Sequence, residues 1–341
     1  MNQVEKQDKL FFYERHFLTL DGLWMIETEK EFGWDFALEI DLAVWNRFLN
    51  IMIEEIMKYK KLEQHSIQNL ILILAFRWKV EEWDFDVKIN DAQSKVLVKI
   101  DKCPYNSAML RNPERHDKIP LICKNMCIPF YEEIISNYNK NIQLDRRNYL
   151  GLGNQFCDFT ISYGSDKLIE VDTEINLQNT LNVSIKDKLF YLKNGFKLLN
   201  NLWIEELRGR TNNNKTMKIN QLVWKLLFKI LFRRIQRYKG FSTNSLSELF
   251  AILKFIWGSE GLRFQTISQE KGNVHFKIID CPIELQWNKI SESDNQSLES
   301  LKKAQISIYS EAIKTFNDEL EIEFFNFLIS NDFCFELKIL E

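Results

Sequence analysis

From Phe11 to Glu31 the positions Phe12, His16, Phe17, Leu20, Leu23, Trp24 and Glu27 recur at spacings of three and four, which predicts an amphipathic helix closed by Gly33. A second helix is predicted over about Phe36 to Tyr59, with Ala37, Ile40, Leu42, Trp45, Phe48, Leu49, Met52, Ile53 and Ile56 as its buried stripe. Ser66 can cap a third, whose Leu70, Ile71, Leu74, Ala75 and Trp78 leave it nearly apolar all round and so central. The period then drops to two. Trp83, Phe85, Val87 and Ile89 alternate with charged neighbours, and Asn90-Asp91 turns the chain into Val96 to Ile100, which predicts a hairpin. After Cys103-Pro104 a polar loop with Asn112-Pro113 and Ile119-Pro120 is expected, then a helix from about Pro129 to Tyr138. Ile142 to Tyr149 and Phe156 to Ser162 follow as a second antiparallel pair around Gly151 and Gly153. Helices first and strands afterwards indicate an α+β fold rather than a parallel α/β sheet.

The pattern then returns. Adding 179 to positions 17 through 85 aligns the chain with itself without a gap, bringing Trp24 onto Trp203, Glu27 onto Glu206, Trp45 onto Trp224, Ser66 onto Ser245 and Trp78 onto Trp257. Beyond the hairpin the offset is 178, which matches Cys103-Pro104 to Cys281-Pro282 and Tyr131 to Tyr309. Cys103 to Cys157 spans 54 residues and Cys281 to Cys334 spans 53, so the paired cysteines are expected to correspond, with Phe335 in the place of Asp158. The expectation is a tandem duplication of a helices-then-antiparallel-sheet domain: a first repeat over 11–165, a connector over 166–188 and a degenerate second repeat over 189–341. Because Asp21, Cys123, Cys127, His116 and the Gly151-x-Gly153 turn have no counterparts, the first repeat is the one expected to act. The second would be a scaffold in the place of a second subunit.

Composition narrows the function classes. Among 341 residues the net charge is -3, which gives no general attraction to nucleic acid or to an anionic membrane. No apolar run approaches the ~20 residues of a bilayer span, and the polar segment Met1 to Lys9 is not a signal-peptide core. A cytoplasmic protein with six reduced cysteines is expected. The basic positions Lys225, Lys229, Arg233, Arg234, Arg237 and Lys239 share a helix with an apolar stripe and are expected to form its solvated face rather than a membrane-binding one.

Three constellations could carry chemistry. Cys103, Cys123, Cys127 and Cys157 are soft ligands that could hold zinc if the fold converged them, although buried free thiols are the blander alternative. Cys103, at a strand end ahead of a loop carrying His116, is the candidate nucleophile. Asp21 is a candidate acid or base, and Trp24 with Glu27 on the same helix face could point into a pocket, Glu27 being more simply a structural partner for an arginine or an indole N–H. No phosphate-binding glycine loop, Walker-type lysine or His-Glu-x-x-His motif is present.

The run Gly151-x-Gly153-x3-Cys157-Asp158-Phe159-x-Ile161, with Cys103-Pro104 some fifty residues earlier, resembles the L-2-amino-thiazoline-4-carboxylate hydrolase-like family. The glycine-then-Cys-x-Phe strand also looks like the end of 4-vinyl-reductase-type domains. Arg15 to Trp24 and Ala37 to Trp45 are similar to an uncharacterised branch of the first family. The resemblance covers Phe11 to Ile161 well and Phe196 to Ile339 weakly. It implies a helix-plus-antiparallel-sheet domain with an apolar ligand cavity, and by position it implies roles for Cys103, Cys157, Asp158 and Asp21. The expectation is a small-molecule-binding protein, with Trp24, Glu27, Cys157 and Asp158 on an organic ligand in the first repeat. The alternatives are a hydrolase of a small C–N or C–S bonded substrate working through Cys103 or a cysteine-bound metal, and a structural or tethering module.

Overall fold

The computed structural model describes residues 4–90, 94–164, 173–175, 181–270, 272–280, 283, 295–326 and 334–341. Cys281-Pro282 and most of the predicted connector lie outside these residues. Among the described residues no helix is long and apolar enough to cross a membrane.

The chain forms two compact units that do not follow its order, one made of Phe32–Glu206 and the other of Met1–Glu31 with Leu207–Glu341. The Phe32–Glu206 unit opens with helices α2 (Trp34–Lys60) and α3 (Ile67–Val80), then strands β1 (Asp84–Ile89) and β2 (Lys95–Lys102). A helical run follows: α4 (Pro104–Leu110), a 3-10 turn, α5 (Ile119–Ile122), a π-helical turn at Cys123–Cys127 and α6 (Ile128–Tyr138). Strands β3 (Ile142–Asp145), β4 (Cys157–Tyr163) and β5 (Thr173–Ile175) complete one antiparallel sheet of order β3-β4-β2-β1-β5. Helix α7 (Ile185–Arg210) closes this unit.

The loop expected after Cys103-Pro104 is therefore helical. Prolines there start helices instead of marking coil: Pro104 and Pro120 each sit in the first two positions of a short helix, where a missing N–H costs nothing, and the helix expected from about Pro129 is present as Ile128–Tyr138. The first strand of the second predicted pair is also shorter than expected. β3 stops at Asp145 because the backbone N–H groups of Arg147 and Asn148 are drawn to the Asp158 carboxylate, both at 2.8 Å.

The other unit contains α1 (Lys6–Phe32), α8 (Asn213–Lys239), α9 (Leu246–Glu260), β6 (Phe264–Glu270), β7 (Asn273–Ile278), α10 (Asn295–Phe316), β8 (Glu321–Phe325) and β9 (Phe335–Leu340). Its sheet runs β6-β7-β9-β8, the same order as β1-β2-β4-β3. Details recur as well. Ser66 Oγ accepts from the Asn69 N–H at 3.3 Å and Ser245 Oγ from the Glu248 N–H at 3.4 Å, each an N-cap. Trp78 Nε1 donates to the Tyr131 hydroxyl at 3.1 Å, and Trp257 Nε1 to that of Tyr309 at 2.8 Å. Both indoles are buried against their own sheet: Trp78 on Phe85 and Phe159, Trp257 on Phe264 and Phe276.

Register corrects one sequence correspondence. Ile100 faces Cys157 and Lys99 faces Asp158, while Ile278 faces Phe335 and Lys277 faces Glu336. The counterpart of Cys157 is thus Phe335 and that of Asp158 is Glu336. Cys334 sits one residue ahead of the strand, and its similar spacing to Cys281 is a coincidence of neighbouring positions.

The leading helices are the other departure from chain order. α1 belongs to the unit of β6–β9, where the Tyr13 hydroxyl donates to the Ser259 carbonyl at 3.1 Å. α7 belongs to the unit of β1–β5, where the Tyr191 hydroxyl donates to Glu81 Oε1 at 2.5 Å.

Candidate functional site

In the Phe32–Glu206 unit, α2, α3, α4, α5, the π-helical turn and α6 line a pocket of about 70 Å³, open on one side, to which Trp83 and Cys103 also contribute. Its walls are apolar and aromatic, with Trp45, Trp83, Tyr105, Met109, Phe130 and Tyr131 among them, and Cys103, Cys123 and Cys127 bring three thiols to it. π-Turns inside helices are frequent at functional sites because they displace side chains from the regular helical stripe. Here the turn spans the very segment that carries Cys123 and Cys127.

One charge enters this wall. Arg77 lies on the otherwise apolar α3 and is 2 % exposed. Its Nε donates to Glu81 Oε1 at 2.9 Å, one helical turn on. Its guanidinium rests 5.5 Å from the Trp45 ring centre and 5.6 Å from that of Phe130. Glu81 is held from several sides: it also accepts from Trp83 Nε1 at 3.0 Å, from the Tyr105 hydroxyl at 3.3 Å and from the Tyr191 hydroxyl of α7. Burial, then the Glu81 charge, pushes the Tyr191 phenol well up, so it acts as a fixed donor. Such a pair survives burial only when its remaining lone pairs are satisfied, and these are. Arg77 Nη1 and Asn106 Oδ1, by contrast, are buried with no hydrogen-bond partner, and both residues line the pocket.

Cys103, Cys123 and Cys157 are not activated. Burial is the largest cause that pushes Cys103 well up, followed on the raising side by its neighbours Cys127 and Cys157, while the N–H groups of Asn106 and Tyr105 pull the other way. Burial likewise pushes Cys123 up to about 12. Cys157 is raised by burial too, against the Leu150 N–H that donates to its Sγ at 3.1 Å and the nearby Arg146. His116, expected to serve Cys103, does not line the pocket; its Nε2 meets the Leu110 carbonyl at 3.0 Å on the surface. Among the described residues no three His, Cys, Asp or Glu side chains are grouped to hold a metal ion. The zinc set Cys103, Cys123, Cys127 and Cys157 therefore shares a neighbourhood without forming a coordination centre.

Behind the thiols the Gly151-x-Gly153 motif finds its reason. A Cβ built on Gly151 would collide with the sulfur of Cys123, so only glycine lets β4's approach pass that close. Gly153 takes φ +91, which ends the 3-10 turn Leu150–Leu152. Arg146 backs the cluster, with Nη1 3.4 Å from Cys127 Sγ, Nε donating to the Asp158 carbonyl at 3.0 Å, and the guanidinium 4.0 Å over the Phe159 ring. Asp158 is a loop clamp. Burial works against its charge, but the N–H groups of Asn148 and Arg147, the Asn148 side chain at 2.7 Å and Arg146 together hold its carboxyl below the usual range. It lines a hollow over the opposite side of the sheet with Asp86, Lys88 and Lys99, not the cysteine pocket.

The expected ligand set Trp24, Glu27, Cys157 and Asp158, with Asp21, is divided. Asp21, Trp24 and Glu27 are buried on α1 in one unit, whereas Cys103, Cys157 and Asp158 belong to the other. Glu27 pairs with Lys30 at 2.6 Å rather than with an arginine or an indole N–H, and Glu206 pairs with Arg47 at 2.7 Å. The basic positions of α8 are tied down within their own unit: Lys225 and Lys229 meet Glu311 at 2.9 and 2.7 Å, and Lys239 meets Asp8 at 2.9 Å. Arg77, Glu81, Arg146 and Tyr191 were not singled out by sequence reasoning. The available signal was Arg77 itself, a charge next to Trp78 on the buried side of a largely apolar helix.

In the other unit the same positions are Ile256 for Arg77, Leu301 for Cys123, Gln305 for Cys127, Phe324 for Arg146 and Phe335 for Cys157. The broken helices of 104–138 give way there to the long α10. The thiols and both arginines are replaced at those positions, while Glu260 stands at the position of Glu81.

Residues 13–161 match the family described as L-2-amino-thiazoline-4-carboxylic acid hydrolase. No curated protein and no solved structure matches the chain.

Proposed function

We propose, with residues 13–161 belonging to that hydrolase family as the premise, that the chain is a small-molecule-binding protein whose ligand sits in the cysteine pocket of the Phe32–Glu206 unit. The observation that carries this is the pocket's make-up: an apolar, aromatic hollow, open on one side, in which Trp45, Trp83, Phe130 and Met109 stand around the thiols of Cys103, Cys123 and Cys127. Its volume of about 70 Å³ is roughly half of the ~150 Å³ that accepts benzene, so it takes in part of a ring-sized ligand and leaves the rest at its open mouth.

Binding is favoured over thiol catalysis because a nucleophilic cysteine needs a lowered pKa and a base, and Cys103 has its pKa raised with His116 held elsewhere. The chain is also, in our reading, a fused duplicate. The matching strand orders, caps and Trp–Tyr hydrogen bonds support this, with the second repeat contributing Tyr191 to the site of the first.

The test is a panel of small heteroaromatic molecules screened by ligand-observed NMR against the intact protein and against Cys103→Phe, which fills the pocket. Binding to the parent that disappears in the variant is expected. Retention of every contact in Cys103→Phe, or a parent that binds nothing, would overturn the proposal.

A further inference from the structure

The cysteines around the pocket differ in what donates to their sulfurs. Cys103 takes the backbone N–H groups of Asn106 and Tyr105, Cys123 that of Gly151, and Cys157 that of Leu150 at 3.1 Å. These donors are neutral, and burial outweighs them at all three sulfurs. Cys127 has a cation instead, since Arg146 Nη1 stands 3.4 Å from its Sγ. Arg146 is fixed there. Its Nε donates to the Asp158 carbonyl at 3.0 Å, and the guanidinium lies 4.0 Å from the ring centre of Phe159, 4.6 Å from that of Tyr149 and 5.5 Å from that of Tyr131. The Asp158 carboxylate is taken up by the N–H groups of Arg147 and Asn148 and by the Asn148 side chain. Among the described residues the guanidinium therefore has no carboxylate at hydrogen-bonding distance, and its polar partners are a carbonyl and a sulfur. Burial opposes the Arg146 charge, and Cys127 leads the neighbours that sustain it, ahead of Tyr131 and Cys157. The pair is also replaced as a pair: the corresponding positions of the other unit hold Gln305 and Phe324.

The hollow decides what reaches this sulfur. Cys127 is half-buried and lines the pocket of about 70 Å³ beside Cys103 and Cys123. Apolar walls turn away ions, which would lose their hydration there, and the space suits a neutral molecule of a few atoms. A thiol attacks through its negatively charged form, and a guanidinium at the sulfur carries that charge better than an amide N–H does. We infer that Cys127 is an oxidation site, the thiol of this pocket that hydrogen peroxide converts to a reversible sulfenic acid, with Arg146 as the cation that supports the attack. The sulfur gives its electron pair to one peroxide oxygen, so an S–O bond forms while the O–O bond breaks. The second oxygen leaves as hydroxide and becomes water with the proton of the thiol; the sulfur is oxidised by two electrons and the peroxide reduced by the same two. This site stands whether or not an organic ligand occupies the pocket.

The test exposes the intact, reduced protein to hydrogen peroxide at neutral pH, stops the reaction with catalase at intervals and unfolds the chain in iodoacetamide. Peptide mass spectrometry then gives the fraction of each cysteine that no longer alkylates, with and without dithiothreitol before the alkylation. Cys127 should be lost about tenfold faster than Cys103, Cys123 or Cys157, and the loss should reverse with dithiothreitol. The preference should disappear in protein unfolded by urea. Arg146→Met should slow the loss of Cys127 severalfold, while Arg146→Lys, which keeps a cation, should retain most of the rate. Cys103, Cys123 or Cys157 reacting as fast as Cys127 in the folded parent overturns the inference, as does a preference that persists in urea or a loss that dithiothreitol does not reverse. An unchanged rate at Cys127 in folded Arg146→Met overturns it equally. The comparison among thiols is made in the parent chain, so it decides the matter even where Arg146→Met does not fold.

Discussion

At the scale of single residues, buried polar groups decide more than the cysteines do. Arg77→Met would leave Glu81 buried and ionised with only neutral donors, so a loss of about 3–5 kcal/mol is expected in chemical denaturation. Adding Glu81→Gln should recover part of it. Asp158→Ala removes the acceptor of two backbone N–H groups and an amide, and should cost about 2 kcal/mol. His16 sets a pH dependence. Burial first, and Arg234 next, lower its pKa to about 3 in the folded chain, against an ordinary value of 6.5. The unfolded chain therefore binds a proton that the folded chain refuses between those values, and stability rises with pH across that window, by about 1.4 kcal/mol per unit where the difference is complete. Urea midpoints measured from pH 7.5 down to pH 5 should fall, and His16→Phe should flatten the fall. Little of this was legible in the sequence. His16 read as one more position on a helical stripe, and Asp158 as a candidate ligand, because neither burial nor loop clamping leaves a mark at the level of residue type.

Elements were easier to read. The three- and four-residue spacing of α1 and α2, the Ser66 cap and the alternation of β1 and β2 all came from local periodicity, which tertiary packing here reinforces. The segment between Cys103 and Cys127 did not. Its prolines read as loop markers, yet they open successive short helices, and that broken run, ahead of the expected helix at Ile128–Tyr138, is what makes room for the pocket. Gly151 locks this segment to the sheet. Gly151→Ala should destabilise by about 1–3 kcal/mol through overpacking against the Cys123 sulfur. The double variant Gly151→Ala with Cys123→Ala should be less damaged than the sum of its parts, a coupling that thermal unfolding of the four chains would measure.

For the whole molecule, the internal likeness visible in the Trp, Ser and Tyr positions carried over to strand order and hydrogen bonding, apart from the one-residue misplacement of Cys334. What periodicity could not foretell is which unit each helix joins, since α1 and α7 present the same kind of apolar stripe. In the structure α1 belongs to the unit of β6–β9 and α7 to the unit of β1–β5, and α7 thereby completes the buried Arg77–Glu81 arrangement. The division of labour follows. One unit has the cysteine pocket with Arg77, Arg146 and Cys157 around it, while the other carries Ile256, Phe324 and Phe335 at those three positions. The most direct check is to express residues 1–172, tagged, together with untagged residues 181–341 as separate chains, and to weigh what the tag brings down. The account predicts a one-to-one complex that unfolds in a single cooperative step like the intact protein. A tagged first piece that purifies alone, folded and cooperative, would contradict it.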